Sequence, residues 1–240
     1  MKRPLTLLLS LALILALALL PCTALAETTN DAPAQAEVYV SITDSEGALV
    51  LACQPVIVTD TDGDGTLTIH DALAAAHAAS HPEGAEAFIT AKTEFGLSMV
   101  KLWGVDNGGS YGYCLNDASA WSLADPVKDG DHVKAYAYTD LIAWSDTYCY
   151  FDAPMMTAAA GAEIPLTLSA AGYDEMWNPV TLPVEGADIT VNGEAADIMT
   201  DAQGCAVLTF AEPGVYVVSA VSRHQNLVAP VCVITVTEGE

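Results

Sequence analysis

Residues 60–71, DTDGDGTLTIHD, put carboxylates at loop positions 1, 3, 5 and 12: Asp60, Asp62, Asp64 and Asp71. Gly65 stands at position 6, where the chain must turn sharply. Thr66 at position 7 offers a backbone carbonyl, Thr68 at position 9 a hydroxyl or a bridged water, and Leu67 between them an inward apolar side chain. This is the donor spacing of an EF-hand calcium loop. A hard divalent ion takes six to eight oxygens at roughly 2.3–2.6 Å from a chain that wraps around it. Without such an ion the clustered carboxylates would repel one another even in water-like surroundings. Calcium is the cofactor this spacing predicts, with a solvated acidic turn as the alternative. The apolar run before the loop ends in VIVT and reads as strand, so the loop is not half of a helix-loop-helix pair. Its expected work is structural, pinning a strand-to-helix corner.

Other chemistry is sparser. His70, His77 and His81 stand at intervals of seven and four, which places them on one face of a helix. The i, i+4 pair is a workable chelate for zinc, nickel or copper, and a polar shoulder beside Ile69 and Leu73 is the alternative. There is no GxSxG, HExxH, P-loop or helix-opening GxGxxG. Carboxylates are everywhere, yet nothing singles out two of them for glycosidase-like work. The chain reads as a non-enzyme. Ten of its 17 aromatic residues fall between Trp103 and Phe151. Trp103, Tyr111, Tyr113, Trp121 and Trp144 are the candidate ligand surface, able to stack on a sugar or a flat cofactor, although strands favour aromatics for packing alone.

The elements that must carry these groups follow from pattern. Residues 1–26 open with Lys2 and Arg3, continue as a Leu/Ala run and end in Ala24-Leu25-Ala26, the form of a secretory signal peptide. The product is expected to be secreted or at the cell exterior, with no membrane insertion after signal cleavage. Residues 27–36 read as a flexible leader. From 37 to 152, EVYVSIT and ALVLACQPVIV read as strands, HDALAAAHAAS as a short helix ending before Pro82, and AFITA, SMVKLWGV, GSYGYCLN, HVKAYAYTD and DTYCYFD as further strands. Residues 153–240 show short alternating segments with NG, AQG and EPG turns, the pattern of an all-β sandwich.

Charge and cysteines narrow the partners. The chain holds 31 acidic residues against seven Lys and Arg, a net charge of −24. Such a surface repels phosphate backbones, which excludes nucleic acid and anionic membrane. Five cysteines follow the signal: Cys53, Cys114, Cys149, Cys205 and Cys232. The odd number leaves at least one thiol free or paired between chains, and Cys205 with Cys232 is the first bridge to test.

Two resemblances bear on this reading. The segment TDAQGCAVLTFAEPGVYVVSAV resembles the late strands of bacterial immunoglobulin-like domains, which implies a sandwich over roughly 155–237. The order TLTIHDALAAAH, GYCLNDASA and VKDGDHVKAYAY resembles the transcobalamin-like C-terminal domain of exported bacterial proteins, with a calcium loop of dockerin type inserted before the helix. A dockerin carries a second loop copy, and none follows here. The transcobalamin-like resemblance, which covers most of residues 37–140, implies an α+β, β-grasp-like fold for the domain expected over 37–152, with corrinoid contact or surface adhesion among its uses. The leading expectation is therefore an exported, calcium-stabilised module at the bacterial cell exterior that binds a small molecule, a glycan or an extracellular protein. An architectural spacer docking other extracellular proteins is the second reading, and a carboxylate-based hydrolase the third.

Overall fold

The computed structural model describes residues 35–239. The signal peptide expected over 1–26, and the leader expected over 27–36 apart from its last two residues, lie outside the described residues. The described residues group as one compact unit.

The first half runs β1 (Gln35–Thr43), β2 (Leu49–Thr59), α1 (Ile69–Ser80), β3 (Ile89–Thr93), β4 (Gly96–Leu102), β5 (Val105–Asp106), β6 (Tyr111–Leu115), β7 (Ala118–Ser119) and β8 (His132–Ala137). The second continues with β9 (Thr147–Phe151), β10 (Met155–Ala159), β11 (Ile164–Tyr173), β12 (Pro179–Pro183), β13 (Asp188–Val191) and β14 (Glu194–Met199). It closes with β15 (Cys205–Leu208), β16 (Gly214–Val221), β17 (Leu227–Val228) and β18 (Cys232–Thr237).

Five strands form the first sheet in the order β2-β1-β8-β6-β7, with β1 antiparallel to β2 and parallel to β8. Side chains alternate across a strand. Val38, Val40 and Ile42 of β1, Val56 and Val58 of β2, and Val133 and Ala135 of β8 therefore share one buried face. Ile69, Ala72, Leu73 and Ala76 of α1 cover that face. Strands β3-β4-β5 make a small separate sheet whose Met99 and Leu102 extend the same core.

The start of α1 is fixed locally. Thr68 is its N-cap: the hydroxyl accepts from the Asp71 amide at 3.3 Å, and the Asp71 carboxylate accepts from the Thr68 amide at 3.1 Å, a reciprocal capping box. Thr68→Ala removes the side-chain half of the box and should cost roughly 1 kcal/mol. In a chain of this size that is about 2–4 °C of thermal midpoint. Thr68→Ser should restore it, and a midpoint unchanged by the alanine would show that the cap contributes nothing.

The second half is a two-sheet sandwich. One sheet has the order β10-β18-β16-β13-β14, with β10 parallel to β18. The other has the order β12-β11-β9-β17, with β15 also on β11. Phe151, Leu166, Leu168, Ile189, Val218 and Ile234 fill the space between them. Near the start of β16 the Tyr216 hydroxyl donates to the Glu212 carbonyl at 2.9 Å. That back-bond is the tyrosine corner of immunoglobulin-like sandwiches. The expected immunoglobulin-like architecture thus stands on strand pairing and on this corner.

The α+β, β-grasp-like expectation for 37–152 is corrected. The chain is mostly β, 51 % strand against 8 % helix, with one α-helix among the described residues. The physical reason is burial on the sheet's second face. In HVKAYA the polar His132, Lys134 and Tyr136 alternate with apolar residues, yet all six residues of β8 are buried. The covering layer is more sheet: Lys134 Nζ donates to the Cys149 carbonyl of β9 at 2.8 Å, and Cys53 Sγ donates to the Pro154 carbonyl at 3.3 Å. The helix supplies only a narrow apolar stripe on the opposite side.

Candidate functional site

The acidic loop connects β2 to α1. Asp60 takes the Gly63 amide at 2.7 Å on one carboxylate oxygen and the Gly65 amide at 2.8 Å on the other. Asp62 accepts from the Asp64 amide at 3.3 Å, and Asp64 from the Thr66 amide at 2.8 Å. Successive carboxylates thus fold the chain back on itself by the short-range turns that Asp favours. Gly65 sits at φ +86°, the left-handed region where a side chain is strained. The bond from the Gly65 amide, with those from Gly63 and Asp64, holds the Asp60 carboxyl below the usual carboxylate range.

The outcome is a set of three carboxylates, Asp60, Asp62 and Asp64, with donor oxygens within 4.8 Å of one another. They are the one such metal-capable group among the described residues. Asp71 is not in it. Its carboxylate, 2 % exposed, accepts from the Thr68 amide and hydroxyl and from the Thr61 amide and hydroxyl. The Thr68 hydroxyl is spent on the same cap. The donor set therefore suits a hard oxygen-seeking cation through Asp60, Asp62 and Asp64, with the exposed Thr66 beside them and water completing the shell.

The histidine face is occupied otherwise. His77 Nδ1 lies 2.7 Å from the Leu73 carbonyl and Nε2 accepts from the Trp103 amide at 3.1 Å, so both ring nitrogens are engaged. The ring stacks on Phe88 at 5.0 Å, and His81 meets Trp103 edge-on at 4.8 Å. Burial pushes His77 down to about 4. His70 Nε2 lies 3.3 Å from the Thr90 hydroxyl. The three side chains pack a corner and do not converge on a common centre.

The five aromatic candidates divide. Trp103 is half-buried against the first core, between His77 and His81. Tyr111, Tyr113 and Trp121 line one cleft of about 420 Å³ together with Phe95 and Met99. Phe95 is 91 % and Trp121 95 % exposed. The Tyr111 hydroxyl is held by the Val100 carbonyl at 2.8 Å and the Asn107 amide at 2.6 Å, which fixes its ring as part of the cleft wall. No charged side chain lines this cleft. Trp144 lies in a second cleft. Phe95 was missed by sequence reasoning; its signal was an apolar residue in the TEFG turn between two strands.

All five described cysteines are free thiols. Cys205 sits on β15 and Cys232 on β18, in opposite sheets. Burial pushes the Cys53 and Cys114 thiols up to about 11 and those of Cys149 and Cys232 to about 12, which makes them poor nucleophiles.

No protein-family model matches the sequence, and no curated protein matches it. The transcobalamin-like resemblance therefore gains no support from these comparisons. Among solved structures the chain is similar to the N-terminal four immunoglobulin domains of Dscam1. For isoform 6.9 the identity is 11 % over 62 % of this chain and 32 % of that one, with a TM-score of 0.24. For isoform 7.44 it is 11 % over 86 % and 46 %, also with a TM-score of 0.24. The chain thus spans a third to a half of those structures. A TM-score of this size carries no argument, and the immunoglobulin-like assignment rests on the strand order and tyrosine corner described above. No described helix is long and apolar enough to cross a membrane.

Proposed function

We propose that the chain is an exported, non-catalytic binding module, steadied by calcium at Asp60, Asp62 and Asp64. Its ligand is a neutral, hydroxyl-rich molecule of the glycan class that lies on Phe95 and Trp121. One observation carries the reading: two almost fully exposed rings share a single uncharged cleft with Tyr111 and Tyr113. Large exposed aromatics cost solvation unless something covers them. An uncharged lining with Ser98 and Ser122 at its edge favours a ligand that offers ring faces and hydroxyls, not ions. The amino-terminal signal pattern supports export, and the absence of a nucleophile constellation in the sequence supports a non-catalytic role.

A tryptophan-fluorescence screen of the mature protein against common polysaccharides and cobalamin tests this. At least one neutral polysaccharide should shift the emission. Trp121→Ala should weaken that ligand about tenfold, the scale of one lost aromatic stacking contact plus its buried area. Silence across the panel, or equal affinity for the alanine variant, would count against the cleft. A response to cobalamin alone would replace the glycan assignment.

A further inference from the structure

A second cleft, chemically unlike the first, opens beside β8 and β9. It measures about 640 Å³, and its lining includes Tyr138, Trp144, Tyr150 and Tyr173 with the carboxylates of Asp117 and Asp146. Trp144 and Tyr173 are 65 % and 64 % exposed. Behind them the rings form a continuous file. Trp144 to Tyr138 is 6.4 Å between centroids, Tyr138 to Tyr136 5.4 Å, Tyr136 to Tyr148 5.9 Å and Tyr148 to Tyr150 6.1 Å.

The file is built, not incidental. Tyr136 lies across Gly112 of the neighbouring strand, where a Cβ would come within 2.1 Å of the Tyr136 ring. Any side chain at 112 would displace the third, central ring of the file. Trp144 stands at φ +51°, a strained setting for a bulky residue. Its loop is locked in that shape. Asp140 accepts from the Ile142 and Ala143 amides at 3.0 and 2.9 Å, and Asp146 from the Thr139 and Asp140 amides, both at 2.9 Å.

Charge decides the occupant. Among the residues that line the cleft there is no Lys, Arg or His, while two carboxylates are present. The chain as a whole carries −24. Ring faces are negative and attract cations, and a negative protein field concentrates them at the mouth. The file already packs one amine internally: Lys134 Nζ lies 4.7 Å from the centroid of the Tyr148 ring, where burial pushes the lysine below its ordinary value. From this juxtaposition we infer that the cleft lined by Trp144, Tyr138, Tyr150 and Tyr173 with Asp117 and Asp146 binds an organic cation of the substituted-ammonium class. This inference stands apart from the glycan reading, because it concerns different residues and opposite ligand chemistry.

The probe is choline, set against its neutral isostere 3,3-dimethyl-1-butanol, with the mature protein at low ionic strength and binding followed by calorimetry. Choline should bind saturably and the isostere about tenfold more weakly, since only the charge differs. Trp144→Ala should weaken choline by a similar factor, and Tyr173→Ala, an equally exposed position, serves where the first variant misfolds. Trp121→Ala should leave choline untouched, which separates this cleft from the other. Equal binding of the isostere, no saturable choline binding, or choline affinity indifferent to both Trp144→Ala and Tyr173→Ala would each overturn the inference. A neutral polysaccharide displaced by Trp144→Ala would overturn it too, and would reassign the cleft to the glycan class.

Discussion

Millimolar calcium should raise the thermal midpoint of the mature chain by roughly 5–10 °C. The magnitude follows from linkage: an ion present at about 100 times its dissociation constant stabilises the folded state by ~2.7 kcal/mol, and a chain of this size gains about 2–4 °C per kcal/mol. The folded loop brings the carboxylates of Asp60, Asp62 and Asp64 together, whereas an unfolded chain does not, so the ion favours the folded state. Asp60→Ala with Asp64→Ala should abolish the rise, but those changes also remove acceptors for the Gly63, Gly65 and Thr66 amides. Asp62→Asn with Asp64→Asn is the sharper pair. Asparagine keeps the turn acceptors and deletes two charges, so the calcium response should vanish while the calcium-free midpoint holds or rises. A wild-type midpoint that ignores calcium, with no heat of binding at millimolar concentration, would remove the ion from the account of this loop.

Asp71 shows how the same letters support two readings. In DTDGDGTLTIHD it stands at loop position 12, and it also stands three residues after Thr68 in the pattern that starts a helix. The structure gives it to the cap. The nearer carboxylates were legible because short-range turns place them, whereas Asp71 depended on which of two local patterns prevailed. The helix, the strand before the loop and the late immunoglobulin-like strands were legible for the same reason, since each is set by periodicity and turn residues. What could not be read was the far side of the first sheet. Ser41, His132, Lys134 and Tyr136 alternate with apolar residues as solvent-facing groups do, yet all four are interior: β9 packs on Lys134 and Tyr136, and Cys53, bonded to the Pro154 carbonyl, lies beside Ser41 and His132. The division of the aromatics has the same origin. Trp103 and Trp121 look alike in sequence, but the first is claimed by His77 and His81 and the second by nothing.

Acid should destabilise the protein in a window set by two buried histidines. His77 and His132 have folded-state values pushed down to about 4 from an ordinary 6.5. Burial is the main cause for both; at His132 the Asp117 charge opposes the shift and Lys134 adds to it. The unfolded chain takes up protons at these positions near pH 6.5 while the folded chain refuses them until about pH 4. The stability tied to the neutral rings is therefore complete above pH 6.5 and is lost as the pH falls toward 4, by at most ~3 kcal/mol for each histidine. Urea unfolding at pH 7.5 and at pH 5 should show the loss before the carboxylates with depressed values, Asp60 and Asp140, begin to protonate. His77 has a specific reason to resist protonation. Its Nε2 accepts from the Trp103 amide, so a proton there would set two donors face to face. It would also release the tether on a residue held at φ +50°. His77→Gln keeps an acceptor without a titrating ring and should flatten about half of the pH dependence. Equal stability at the two pH values would mean that these rings are hydrated and free to charge, contrary to their burial.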